Sequence, residues 1–365
     1  MNKIKNICIV LGVGLFVFSL SLYAFFKSPD EYSYSERRYL VQFPVITLDG
    51  ILSGDFMEDF ESYIQDQFPK RDALRTLKAH SAYHVFNKLE NNNLYMKDGY
   101  LSKIEYPYHK EMGDYMCNLI NKITTHSMTS DNSIYYSIVP DKNYYLTQDS
   151  SLLSMDYKEL VSDMNKHLKD MTYIDLFDKL DIHDYYYTDT HWKQENLEDV
   201  ADYVLKQMGN TPVYDYNVIK GTDQFSGVYL GQSALNMKPD RLHYLYNDLM
   251  KDYVVTSYSG EIKDIDLYNH DKLSSKDAYE FYLNGSEALL TIENKHATSD
   301  KELVVFRDSF GSSLIPLLCE SYKKVTVVDL RYMNSSMIDE YITFDHQDVL
   351  FIYSSLVINS STSLK

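Results

Sequence analysis

Two short segments of this chain carry residue types that, brought together, could perform acyl transfer. The first is Tyr187-Thr188-Asp189-Thr190-His191-Trp192. An Asp two residues before a His, in non-helical geometry, can accept a hydrogen bond from the imidazole. That fixes the tautomer and leaves the other ring nitrogen as a general base. The second is Arg307-Asp308-Ser309-Phe310-Gly311-Ser312, which follows an apolar run and precedes a helical pattern. A Ser at such a strand-to-helix turn projects its hydroxyl into the crevice beyond the strand. The helix N-terminus behind it offers free backbone N–H groups to an oxyanion. Each segment also has plainer uses. Ser309 is a good N-cap for the following helix, and Asp189 or Thr190 could cap a helix starting near His191. His191 could be a satisfied core residue. Asp189 and His191 could hold a metal, although no third ligand stands at an obvious spacing.

The elements that must position these residues are readable after residue 300. Residues 303–306, 325–330 and 349–353 are apolar, β-rich runs, and 312–322 and 336–343 between them are helical in pattern. Strand, helix, strand, helix, strand with fully apolar strands predicts a parallel sheet flanked by helices. Upstream, 134–139 (closed by Pro140) and 172–176 read as strands, and 157–168 as a helix. A helix is also predicted over 191–208, where Leu197, Val200, Ala201, Val204, Leu205 and Met208 share a face and Gly209 terminates the run. Residues 210–300 are turn-rich and of mixed pattern. They read as β-hairpins or an insertion, with 289–294 one strand.

The N-terminus bears on the compartment. Lys3 and Lys5 precede a stretch without charge over residues 7–26. At a helical rise such a stretch spans roughly 30 Å, the thickness of a bilayer core. Basic residues before it place the N-terminus in the cytoplasm and everything after Lys27 outside. The run is long for a signal peptide, and cleavage after Ala24 would leave Leu22 at the minus-three position. The expectation is therefore an uncleaved signal anchor: a single-pass protein of the cell membrane with the bulk of the chain extracellular. Residues 28–50 read as an extended stalk. From Ser53, taken as N-cap, Phe56, Phe60, Tyr63, Ile64 and Phe68 recur at helical spacing until Pro69, and 71–89 resume it. The division expected is 1–27 anchor, 28–100 stalk and amphipathic helices, and 101–365 an α/β domain.

Charge and composition exclude some partners. A net charge of −18, from 53 acidic and 35 basic residues, argues against nucleic acid, whose phosphates need clustered cations. It also disfavours broad docking onto anionic lipid or polyanionic wall polymers, although a local basic pocket remains compatible with it. The chain has 35 Tyr and one Trp. Exposed Tyr suits sugar binding, although an AT-rich genome also inflates Tyr. Cys8 lies in the apolar run. Cys117 and Cys319 could pair, but two buried free thiols are the expectation. No metal or cofactor is expected.

Taken together, DTHW (189–192), RDSFGSSLIPLL (307–318) and VTVVDLRYMN (325–334) resemble the DHHW protein family of Gram-positive bacteria. That family is similar to the alginate O-acetylation proteins, within the SGNH-like hydrolases and acyltransferases. SERRYL, DQFPKRD, VPDKNYYL and GVYLGQSA extend the resemblance over nearly the whole chain beyond the anchor. It implies an SGNH-like α/β fold with rearranged strand order, in which Asp189 is the orienting acid, His191 the base and Ser309 the nucleophile. Thr190 stands where the family motif has His. The Gly and Asn oxyanion donors of ordinary SGNH enzymes are not identifiable. Arg331 and the Ser309 amide are the candidates, with Asn359 more remote. Trp192, Asp308 and Lys142 are further candidates for oxyanion or substrate contact, and Lys142 could equally be a solvated loop charge. The function implied is an extracytoplasmic O-acyltransferase, acetyl being the group expected, with surface polysaccharide as acceptor and a polytopic membrane O-acyltransferase as donor. The alternatives are a carbohydrate esterase with the same triad, or a non-catalytic envelope protein that binds polysaccharide or an assembly partner.

Overall fold

The computed structural model describes residues 2–148, 150–297 and 299–365. The chain divides into two units. One ends at Asn92 and takes in Leu230–Asn236; the other comprises Asn93–Tyr229 and Met237–Lys365.

The N-terminal unit opens with helix α1 (Asn2–Phe26), which over Lys3–Phe26 is long and apolar enough to cross a membrane. Helices α2 (Leu48–Ser53), α3 (Asp55–Asp66) and α4 (Arg71–His80) follow. Ser53 is not the N-cap expected. Thr47 caps α2 by accepting from Gly50 N at 3.1 Å, and Gly54, in the left-handed region at φ 94°, turns the chain from α2 into α3. The segment expected to be a stalk is tied down. Arg38 holds the Asp66 carboxylate through both Nη atoms, at 2.7 and 2.5 Å, and Val41 N adds a third bond at 3.0 Å. The Arg38 bonds keep that carboxyl below its ordinary range.

The larger unit begins with a hairpin of β1 (Leu94–Lys97) and β2 (Tyr100–Lys103). It continues through α5 (Lys110–Ser127), β3 (Ser133–Val139), α6 (Tyr157–His167), β4 (Thr172–Asp175) and α7 (Glu198–Gln207). The turn-rich region resolves into an antiparallel pair, β5 (Asn217–Phe225) and β6 (Asp240–Tyr246), then β7 (Val254–Ser257), β8 (Lys263–Ile265) and β9 (Leu289–Glu293). The C-terminal part supplies β10 (Glu302–Arg307), α8 (Gly311–Leu318), β11 (Lys324–Val328) and β12 (Asp348–Ser354). One eight-stranded sheet runs in the order β8-β7-β9-β11-β10-β12-β3-β4. The five strands from β11 to β4 are parallel, while β9, β7 and β8 extend it antiparallel. The expected α/β class with rearranged strand order and one preceding apolar helix is thus present, with a sheet that is mostly rather than wholly parallel.

The apolar runs are apolar because both faces are covered. Side chains alternate across a strand. Leu303 and Val305 of β10 join Leu350 and Ile352 of β12 against Val204 of α7 and Leu314 of α8. Val304 and Phe306 join Val349 and Phe351 in the opposite core, with Ile120 of α5 and Leu160 of α6. Cys117 and Cys319 are both buried and free.

The helix expected from His191 is shorter. Only α7 is α-helical, preceded by a 3₁₀ turn at Gln194–Asn196. Tertiary bonds override the helical pattern there. Tyr185 and Trp192 bridge as in a hairpin, and the buried Gln194 side chain donates to Ser313 O at 2.6 Å and accepts from Leu245 N at 2.9 Å.

Candidate active site

Strand β10 is flanked by β11 on one side and β12 on the other, all parallel. Its C-terminal end is where an open sheet of this kind leaves a crevice. The turn beyond it is pinned by Asp308. That carboxylate is fully buried, accepting from Phe310 N at 2.9 Å and from Ser354 N and Oγ at 2.8 and 2.6 Å. The next residue, Ser309, is left partly exposed. Helix α8 starts after Phe310 without a side-chain cap, so Ser309 is not spent as an N-cap. Its Oγ lies 2.8 Å from His191 Nε2 instead.

His191 is oriented from three sides. Its Nδ1 lies 2.6 Å from Asp189 Oδ1, which also accepts the His191 backbone N–H at 3.1 Å. Tyr279 stacks on the imidazole, with centroids 3.7 Å apart and planes within 6°. Phe310 packs on it at 4.9 Å. Tyr279 is itself held: its hydroxyl lies 2.8 Å from Ser313 Oγ, which also accepts from Trp192 Nε1 at 2.8 Å.

The loop bearing Asp189 is fixed by residues from the turn-rich region. Asp240 accepts from Tyr187 N, Thr188 N and Thr188 Oγ1 at 2.9, 2.8 and 2.6 Å. Val228 N donates to Asp189 Oδ2 at 2.8 Å, and Gly227 N to Thr188 Oγ1 at 3.0 Å. Residue 227 has to be glycine, because a Cβ there would sit 2.3 Å from Asp189 N. Asp189 is fully buried, which removes competing water from its bond to the imidazole.

The auxiliary candidates are placed differently from the expectation. Lys142 is not a solvated charge. It is buried, donates to Tyr186 O at 3.0 Å and Tyr187 O at 3.4 Å, and faces the Tyr229 ring at 5.1 Å. Burial pushes its ammonium down to about 7, against the attraction of Asp189, Asp240 and Asp141. Trp192 is buried behind the site, donating also to Phe310 O at 3.0 Å, and Asp308 is consumed by the turn it pins. Arg331 is held by Asp329 through Nε and Nη2, at 2.9 and 2.6 Å. Asn359 bonds Glu105, Pro107 O and His109 N. Of the oxyanion candidates, the Ser309 N–H alone has no acceptor among the described residues. Sequence reasoning missed Tyr279, Gly227, Val228 and Asp240. GVYLGQSA pointed to two of them, but nothing local marks Tyr279 or Asp240.

A serine hydroxyl bonded to an imidazole whose other nitrogen faces a buried carboxylate can serve as nucleophile, base and orienting acid. Among the described residues no group of three or more His, Cys, Asp or Glu gathers to hold a metal ion.

No family model matches the chain, and neither does any curated protein. Solved structures do. A DHHW family protein from Eubacterium siraeum superposes with a TM-score of 0.63 at 20% identity, over 75% of this chain and 94% of that one. Bacillus cereus PatB1 carrying a sulfonyl adduct superposes with a TM-score of 0.61 at 20% identity, over 73% of this chain and 97% of that one. At such identity the likeness is one of fold.

Proposed function

We propose that this chain is a membrane-anchored, extracytoplasmic O-acyltransferase that transfers acetyl groups to a surface polysaccharide. The observation that carries the reading is the unbroken hydrogen-bonded line from Ser309 through His191 to the buried Asp189. In this mechanism Ser309 Oγ attacks the acyl carbonyl of the donor while His191 Nε2 takes its proton. The oxyanion is received by the Ser309 N–H at the start of α8. The tetrahedral intermediate collapses, His191 returns the proton to the leaving group, and an acyl ester remains on Ser309. A sugar hydroxyl then gives its proton to His191 and attacks the ester, regenerating Ser309. Asp189 keeps Nδ1 protonated and stabilises the imidazolium at both stages. The resemblance of the DTHW and RDSFGSS segments to the DHHW family and the alginate O-acetylation proteins supports acetyl and polysaccharide as the reactants. The sulfonyl adduct borne by PatB1, a protein of the same fold, fits a nucleophile open to electrophiles. Lys3 and Lys5, ahead of the charge-free stretch 7–26 of α1, support the outward orientation.

The test is intact-mass spectrometry of the full chain in detergent after incubation with an activated acetyl ester. An adduct of one acetyl group that vanishes in both Ser309→Ala and His191→Ala supports the reading, and the double variant should be scarcely worse than either, because the residues act as a unit. Adduct transfer to added oligosaccharide distinguishes a transferase from an esterase, which would release acetate. A folded protein that takes no acetyl and releases none refutes catalysis.

A further inference from the structure

Within the N-terminal unit a groove of about 780 Å³ opens between the last three turns of α1 and the ring-bearing face of α3. Phe16, Leu20 and Ala24 form one wall, and Phe60, Tyr63 and Phe68 the other. We propose that this groove holds an acyl chain of an outer-leaflet phospholipid, which makes α3 part of the membrane attachment. The inference rests on the reading that α1 spans the membrane with its C-terminal end outward.

Four observations support lipid as the occupant. First, depth: from Phe16 to Lys27 a helix rises roughly 16 Å, about half of a hydrocarbon layer of roughly 30 Å, so the groove runs through the outer leaflet. Second, polarity: the polar lining residues Lys27 and Gln67 meet at the outward end of α1, where both bond Asp30, while further in the Ser21 hydroxyl that α1 adds to the lining is spent on Val17 O, and the inner end at Phe16 and Val17 is apolar. A lipid lies the same way, with its headgroup outward. Third, continuity: the chain entering α2 and α3 exposes large apolar side chains, with Val45 84%, Leu52 76% and Met57 61% exposed. An apolar cluster of that kind marks an interaction surface. Between Arg38 and Lys70 there is no Lys or Arg but Asp49, Asp55, Glu58, Asp59, Glu61 and Asp66, so the attraction is apolar and an anionic headgroup would be repelled. Fourth, size: a spanning helix about 10 Å wide and about 30 Å long fills roughly 2,400 Å³, well beyond this groove, and helix contacts in membranes favour small residues rather than facing rings.

The experiment places the full chain in nanodiscs of phosphatidylcholine, with and without bromine on the acyl chains. Tyr63→Trp and, separately, Phe60→Trp report from the groove. Phe18→Trp reports from α1 away from the groove lining, and the parent reports from buried Trp192 alone. Brominated lipid should at least halve the added emission of Tyr63→Trp, Phe60→Trp and Phe18→Trp, and leave the parent unchanged. Quenching of Phe18→Trp without either groove variant means that protein or water fills the groove, which overturns the inference but keeps the anchor. Failure to quench Phe18→Trp overturns the anchor reading and the inference with it.

Discussion

Replacing Tyr279 by Leu should slow acylation of Ser309 by about 2- to 12-fold, and replacing it by Phe should hardly slow it. The Tyr279 ring lies parallel to the imidazole at 3.7 Å, and both rings are largely buried, with Phe310 packed on the imidazole as well. As His191 takes the serine proton it becomes a cation against that ring. A stacked aromatic pair is worth about 0.5–1.5 kcal/mol, and a desolvated cation over a ring about 2 kcal/mol. Only the part gained on charging, the cation's value less that of the neutral stack, counts toward the rate, so about 0.5–1.5 kcal/mol is at stake. Phe keeps the ring and loses only the hydroxyl bond to Ser313, a cost of about 1 kcal/mol in stability. The assay is the burst of nitrophenol from nitrophenyl acetate with the full chain in detergent, alongside denaturant unfolding. The loss in the Leu variant should fall on kcat and leave KM nearly unchanged. If Phe and Leu slow the burst equally, the hydroxyl rather than the stack matters. If a folded Leu variant reacts at the parent rate, the stack is packing alone and the reasoning fails.

Three other perturbations have definite outcomes. Gly227→Ala drives a methyl into the backbone of Asp189, so it should abolish most of the burst while leaving far-ultraviolet circular dichroism near normal; an unimpaired burst would show that the loop has room to move. Lys142→Met removes the donor to the Tyr186 and Tyr187 carbonyls and should lower the burst rate about tenfold with KM unchanged, because it loosens the loop that aims Asp189; a change in KM alone would favour a substrate contact. Burial raises the Asp141 carboxyl to about 6, so the folded chain holds a proton there that the unfolded chain releases near 4. That contribution to stability is complete below about 4 and lost as pH rises through 6, on the order of 2–3 kcal/mol. Asp141→Asn should flatten this fall in denaturant titrations, and an unchanged pH dependence would refute it.

The strands β10, β11 and β12 are legible because burial on both faces leaves unbroken apolar runs, a signal that survives without context. The residue types of the site are legible too, since Asp-x-His and a Ser at a strand end each suggest their chemistry. Their meeting is not, because 118 residues separate His191 from Ser309 and neither segment carries the register of the sheet that joins them. The helix expected from His191 fails because a periodic face over 197–208 says nothing of the bonds that hold Trp192 and Gln194 extended. Lys142 is misjudged for the same reason: a lysine after a strand is ordinarily wet, and only the loop folding over it buries it. Strand β7 is half-covered in alternation and four residues long, and the 3₁₀ turn bearing Tyr279 has no period, so beyond the GVYLGQSA stretch 210–300 offers no local signal for the residues that hold His191 and the Asp189 loop.

Asp308 latches the turn that bears Ser309 to Ser354, 46 residues further along the chain than Asp308. At synthesis rates of about 5–20 residues per second, Ser354 follows Ser309 by roughly 2–10 s. Strand β12 must also pair with β3, across a separation of about 215 residues, before the sheet is continuous. Until then His191 and Asp189 are already made while the serine is unaimed. On the proposed mechanism, then, the nascent chain should be inert toward acyl donors until the last strand is seated.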